Sequence, residues 1–199
     1  MIPEILQREI EKLSTAVDSK TQVDDTTSDS TSSTYSASKI EEKIAATPVV
    51  PHLMQSDTTD QAIANVNNAQ VVTFNTDVHH QSITRTSSSR FTVTVAGSYL
   101  VIISALAAST LPSKRFEIWL SKNGSYVDAS NTIYDFKAAN SLTVISVSFI
   151  EHFEVGDYFE FWMWGNDTGV RLDATVAGTS PTRPSCPSII MTANLLSKD

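Results

Sequence analysis

Cysteine is nearly missing from this chain. Cys186 stands alone among 199 residues, so no disulfide can form within the molecule, and the disulfide-stapled secreted domains are excluded. Charge is scarce too. Charged residues make up 18% of the chain, less than the usual quarter, and serine and threonine take their place. Lys and Arg number 14 against 22 Asp and Glu, a formal net charge of −8. That balance argues against an electrostatic grip on nucleic-acid phosphates. Long apolar runs are missing: the longest, Tyr99 to Ala108 with one serine inside it, is about half of what a bilayer-crossing helix needs. Met1-Ile2-Pro3-Glu4 has no basic segment and no apolar stretch behind it, so no secretory leader is expected. Local catalytic signatures are lacking as well. There is no Gly-rich phosphate loop, no Gly-x-Ser-x-Gly and no His-Glu-x-x-His, so the chain is expected to be no enzyme and to carry no cofactor and no metal.

What is present falls into three materials. Over residues 1–20, Leu6, Ile10, Leu13 and Val17 follow a 4-3-4 spacing, the seam of a short coiled coil. Such a helix is marginal alone and needs a partner, either its own domain or a larger body. Residues 21–68 read as a linker. Within 21–38, 11 of the 18 residues are Ser or Thr, too polar to offset the entropy of ordering. Ser38-Lys39-Ile40-Glu41 has the form of a capping box, which predicts a short helix over 38–46 with Ile40 and Ile44 one turn apart. Pro48 and Pro51 end it, and 47–68 reads as extended.

From Ala69 to Asp199 the apolar period becomes two. Phe91–Val95, Arg115–Leu120, Val144–Phe149, Asp157–Trp164 and Ile189–Leu196 read as strands, and Asn123-Gly124 as a hairpin turn. Strands at this spacing predict a β-sandwich or barrel. Some strands are apolar on both faces. In Tyr158–Trp164 one face carries Phe159, Phe161 and Met163, and the other Tyr158, Trp162 and Trp164. A second burial is expected there, most simply a subunit interface.

The scattered chemistry groups carry ordinary readings. Cys186 lies between Ser185 and Pro187 with no base in its motif, so a structural role is expected. His79 and His80 are strand neighbours and point to opposite faces. Glu151, Glu154, Asp157 and Glu160 read as solvated charges near a strand turn rather than the carboxylate pair of a glycosidase. Asn166-Asp167-Thr168-Gly169 with Asp173 has an oxygen-rich look, but it is no EF-hand. Trp119, Trp162 and Trp164 fit either a subunit interface or a surface that stacks on sugars. Recognition, where there is any, is expected on the loops 109–114, 134–141 and 165–186.

Two resemblances sharpen this. The stretches Phe91–Val101, Trp119–Gly124, Val155–Phe161 and Ser188–Leu195 occur in the order of four motifs of the C1q/tumour-necrosis-factor-like superfamily. The chain resembles that superfamily over about residues 69–197. The resemblance implies an antiparallel jelly-roll β-sandwich that buries one apolar sheet against neighbouring copies. Asp29–Glu42 resembles a segment of bacteriophage fibre and decoration proteins that precedes a trimeric distal domain. That likeness implies a homotrimer with Ile40 and Ile44 on its axis. The expected protein is thus a virion component made in the host cytoplasm, a capsid decoration or head fibre. Leu6, Ile10, Leu13 and Val17 would anchor it to a capsid or tail protein through residues 1–46, and Tyr158, Trp162 and Trp164 would line the trimer interface. The alternative is a tail-fibre or baseplate tip that recognises host-surface glycans. Neither nucleic-acid binding nor membrane insertion is expected.

Overall fold

A computed structural model describes Arg8, Glu11, Lys12 and residues 50–199. Arg8, Glu11 and Lys12 are helical and exposed. The seam residues Leu6, Ile10, Leu13 and Val17, the Ser/Thr-rich stretch, and Ile40 and Ile44 lie outside the described residues. A compact unit begins at Val49 and runs to Asp199.

Its strands are β1 (His52–Asp57), β2 (Gln61–Ala62), β3 (Gln70–Val71), β4 (Thr76–Gln81), β5 (Ile83–Arg85), β6 (Phe91–Val93), β7 (Gly97–Ser109) and β8 (Lys114–Lys122). Then come β9 (Ser125–Tyr126), β10 (Thr132–Phe136), β11 (Ser141–Phe153), β12 (Tyr158–Gly165), β13 (Val170–Leu172), β14 (Gly178–Thr179), β15 (Thr182–Arg183) and β16 (Ile189–Lys198). All the pairings are antiparallel. In the first sheet β7 is central. It pairs along its whole length with β11 on one side, and with β16 and then β13 on the other. β1 lies beyond β16, and β4 beyond β1. In the second sheet β8 and β12 are central. β10 and β9 flank β8, while β6 and β3 flank β12.

The eight principal strands are β1, β6, β7, β8, β10, β11, β12 and β16. Taken first to eighth, they stand in the orders one-eight-three-six and two-seven-four-five in the two sheets. The chain thus crosses repeatedly from one sheet to the other. This is the jelly-roll β-sandwich expected from the sequence. Among the described residues no helix is long and apolar enough to cross a membrane.

The core follows from the period of two. Tyr99, Val101, Ile103 and Ala105 of β7 and Met191 of β16 point inward and are buried. They meet Phe116, Ile118 and Leu120 of β8 and Phe159, Phe161 and Met163 of β12. Aromatic contacts stitch the layers together. Phe74 meets Phe91 edge-on at 5.2 Å, and Phe153 sits 5.4 Å from Phe159 and 5.8 Å from Tyr99. Each such buried side chain contributes roughly 1.5–3 kcal/mol.

Residues 52–62 differ from the extended linker expected for 47–68, because β1 lies inside the first sheet between β16 and β4. The reason is chemical. Beside Leu53, β1 turns Gln55 and Asp57 inward, both buried, so no apolar alternation announces the strand. Hydrogen bonds replace it. Asp57 Oδ1 accepts from the Thr59 N–H at 2.8 Å and from Asn75 Nδ2 at 3.0 Å. Gln61 imitates a strand partner for Thr73, donating to its carbonyl at 3.0 Å and accepting from its N–H at 2.8 Å. The expected hairpin holds: Asn123 and Gly124 take positive φ of 52° and 81° and join β8 to β9. β11, at 13 residues, pairs only with β7 among the described residues and leaves its other edge open.

Candidate functional site

The outer faces of the two sheets differ in character. On the second sheet, β8 turns Phe116, Ile118 and Leu120 inward, so Glu117, Trp119 and Ser121 face out. Trp162 of β12 stands directly opposite Trp119 in the ladder. The tight turn at Asn123-Gly124 brings Tyr126 opposite Ser121, on the same face. Tyr126 is 75% exposed. Trp119, Tyr126 and the segment 127–131 enclose a cleft of about 340 Å³ that also takes in Glu117, Asp128 and Asn131. A neighbouring depression of about 200 Å³ lies between Trp119, Tyr126 and Trp162.

The far wall of this cleft is fixed before any ligand arrives. Ser130 is buried, donates to the Val127 carbonyl at 2.7 Å and accepts from the Leu120 N–H at 3.1 Å. Asn131 Nδ2 donates to Glu117 Oε2 at 2.8 Å. Beyond Glu117, Arg115 grips Asp135 through two hydrogen bonds of 2.8 and 3.2 Å. The hydrogen bond from Arg115 holds the Asp135 carboxyl below the usual carboxylate range, against the opposing effect of burial. Chemically the cleft offers flat aromatic faces, a carboxylate–amide pair and a second carboxylate.

On the first sheet, the outward residues of β7, β11 and β16 include Leu100, Ile102, Leu106, Val144, Ile150 and Ile190. Leu142, Val144 and Ile150 are 56%, 64% and 69% exposed. Serines and threonines lie between them. Ionisable groups stand at its margins: Arg171 of β13 lies opposite Ala108 and pairs with Asp173 at 2.6 Å, His152 follows two residues after Ile150 on β11, and His52 and His79 stack at 4.7 Å on β1 and β4. This is a second candidate surface, apolar across its middle and charged at its margins.

The residues expected at a site are placed as follows. Tyr158, Trp162 and Trp164 all point outward from β12 and are all half-buried by the chain itself. The Arg90 guanidinium lies 3.9 Å over the Tyr158 ring. Trp164 Nε1 donates to the Val66 carbonyl at 2.7 Å. Trp162 and Trp119 line the aromatic depression together, while Trp164 lines neither hollow.

The four carboxylates Glu151, Glu154, Asp157 and Glu160 are not gathered in one cleft. Glu160 is buried, accepts from Ser89 Oγ at 3.0 Å and lies 3.5 Å from Arg90. Glu151 and Asp157 flank Lys122 at 3.3 and 3.5 Å. Glu154 instead approaches His152 at 3.2 Å. Asp167 pairs with Lys114 at 2.7 Å and Asp173 with Arg171 at 2.6 Å, so these two serve separate ion pairs. The hydrogen bond from Lys114 holds Asp167 below its ordinary range. His79 stacks on His52, whereas His80 reaches Asp77 at 2.8 Å. Cys186 is exposed, and its backbone pairs with Thr175 through two 2.9 Å bonds.

Sequence reasoning singled out Trp119 and Trp162 but missed Tyr126, Glu117, Asp128 and Asn131. The signal for Tyr126 was available. A two-residue turn at Asn123-Gly124 fixes the register and puts Tyr126 on the Trp119 face. The segment 127–131 carries no periodic pattern that could have announced a wall.

No family model matches the chain, and no curated protein matches it. Among solved structures, the globular domain of zebrafish complement 1qA protein is similar at 17% identity and a TM-score of 0.46, covering 75% of this chain and 98% of that one. Murine APRIL is similar at 10% identity in two structures, at pH 8.5 and pH 5.0, with TM-scores of 0.48 and 0.49. Each covers 74% of this chain and 100% of its own.

Proposed function

We propose that the chain is a non-catalytic assembly protein, a homotrimer that serves in a bacteriophage virion as a capsid decoration or head fibre. Residues 1–46 would anchor it to a capsid or tail protein, and the sandwich would project outward. One observation carries the assembly part. The outer face of the first sheet is apolar and is left uncovered by the described residues, where a free-standing antiparallel sheet normally turns polar residues to water. Its Leu142, Val144 and Ile150 are each more than half exposed, whereas Tyr158, Trp162 and Trp164 already have partial cover from their own chain. The first-sheet face is therefore the better choice for the contact between copies. A closed ring hides such a face without open-ended growth. The virion part draws on the resemblance of Asp29–Glu42 and on the seam Leu6, Ile10, Leu13 and Val17.

The test is native mass. Full-length protein and residues 50–199 should both be trimers. The double substitution Val144→Asp and Ile150→Asp should give folded monomers with unchanged circular dichroism. Monomers in both unsubstituted proteins would refute the trimer. A second reading, a tail-fibre or baseplate tip that touches host-surface glycans, is favoured by the aromatic cleft on the opposite sheet.

A further inference from the structure

We propose that the cleft between Trp119, Tyr126 and the segment 127–131 binds a neutral, hexose-containing saccharide. The ligand class follows that second reading; the position and the preference for uncharged sugars go beyond it. Three observations converge. The first is the set of rings. A pyranose has an apolar face of C–H groups and a polar rim of hydroxyls, so it needs a flat apolar platform edged with hydrogen-bonding groups. Trp119 and Tyr126 line the cleft itself, and with Trp162, the ladder neighbour of Trp119, they also border the adjoining depression, which extends the aromatic platform. Nothing in the core requires an aromatic at the tip of a hairpin, where Tyr126 is 75% exposed.

The second is polarity. Glu117 and Asn131 form a hydrogen-bonded pair in the cleft wall at 2.8 Å, and Asp128 adds another acceptor. Hydroxyls both donate and accept, so such a pair suits them. The lining residues include two carboxylates, Glu117 and Asp128, and neither lysine nor arginine. Arg115, which approaches Glu117 at 4.0 Å from outside the cleft, is itself held by Asp135 at 2.8 Å, so the surroundings stay net negative. A sialylated, sulfated or phosphorylated glycan would meet repulsion there, so the charge of the cleft selects an uncharged sugar. The third is fixity. The buried Ser130 pins the wall through the Leu120 and Val127 backbones, so little ordering has to accompany binding. The volume of about 340 Å³ falls at the small end of ligand clefts, on the order of 300–1,000 Å³.

The experiment titrates full-length protein with neutral tetrasaccharides built from glucose, galactose or mannose, and with a sialylated and a sulfated counterpart. Tryptophan fluorescence and saturation-transfer NMR report binding. At least one neutral tetrasaccharide should saturate with a Kd on the order of 1 mM or tighter, and the acidic ones should bind at least tenfold more weakly. Tyr126→Ala should weaken binding at least tenfold, and its exposure means that it cannot unfold the protein. Trp119→Ala should do the same and Trp119→Phe less, while Val176→Ser, at an exposed residue that lines neither hollow, should change nothing. Absence of binding at about 10 mM sugar would overturn the proposal. So would full binding by Tyr126→Ala, tighter binding of the acidic sugars, or a drop in native mass on Trp119→Ala, which would make the cleft a contact between copies. Binding in solution decides the cleft, and cell attachment decides the receptor role, so either can fail alone.

Discussion

At Tyr99 the ring is buried among Phe153 and the β7 core, and the hydroxyl donates to the Val95 carbonyl at 2.7 Å. Burial disfavours the phenolate and pushes the pKa up to about 12 from 10.0. The folded value is the raised one. Its contribution is therefore complete below pH 10 and is lost as pH climbs towards 12. Tyr99→Phe should flatten that alkaline fall in urea-unfolding titrations. At neutral pH it should cost about 1 kcal/mol for the lost hydrogen bond. Asp157 behaves oppositely. Burial works to raise its pKa, but bonds from Asn123 Nδ2 at 2.7 Å and the Glu154 N–H at 2.9 Å, with Lys122 nearby, bring it below the ordinary value. Its contribution is present above about pH 4 and fades as pH falls through the depressed value. Asp157→Asn should cost about 1 kcal/mol at pH 7, and the gap to the natural protein should close below pH 4. Trp119 and Trp162 were legible as candidate site residues because tryptophan on an outward strand position is conspicuous. Asp128 and Asn131 were not, because their role depends on where a patternless loop folds back.

Among the elements, β1 separates what the sequence discloses from what it hides. Strands with apolar alternation, such as β6 and β8, were readable because their period equals that of the pleat, and β12 was readable although both of its faces are apolar. β1 was not, since the buried Gln55 and Asp57 are satisfied in part by Asp77 and Asn75, about twenty residues further along the chain. The consequence is measurable. Residues 50–199 should fold with a single cooperative transition. Residues 69–199 lack β1 and β2, leave Met191 and Ala193 without their neighbouring strand, and should unfold at markedly lower urea or fail to fold. A fully cooperative 69–199 fragment would show that β1 is an accessory. Gly97, where β7 begins, has φ of +147°, and a side-chain carbon there would run into the Ser197 carbonyl and Leu195. Gly97→Ala should therefore cost about 2–4 kcal/mol by thermal denaturation. The glycine was visible in the sequence; the close approach of β16 that demands it was not.

For the whole molecule, the two-faced apolar pattern read from the sequence was real. Its strongest uncovered field, however, lies across β7, β11 and β16, on residues such as Val144 and Ile150. Strand periodicity shows that both faces are apolar, but which face the chain covers by itself depends on loops such as the one that brings the Val66 carbonyl to Trp164. An assembly held by the apolar middle of this face, at Leu142, Val144 and Ile150, should change little with salt. Native mass should stay trimeric from low ionic strength to about 1 M, where the screening length is roughly 3 Å. Dissociation at high salt would point to ion pairs instead.

The outer faces of the sandwich look away from each other, and the aromatic cleft lies on the second sheet. A ring closed through the first sheet would therefore carry three identical clefts around its rim. A single millimolar contact is fleeting, but three on one rigid body act at a high effective concentration towards a repeating target. Such a particle would pass over isolated sugars and stay on a surface that displays them densely, so that retention would report glycan density rather than the strength of any single contact.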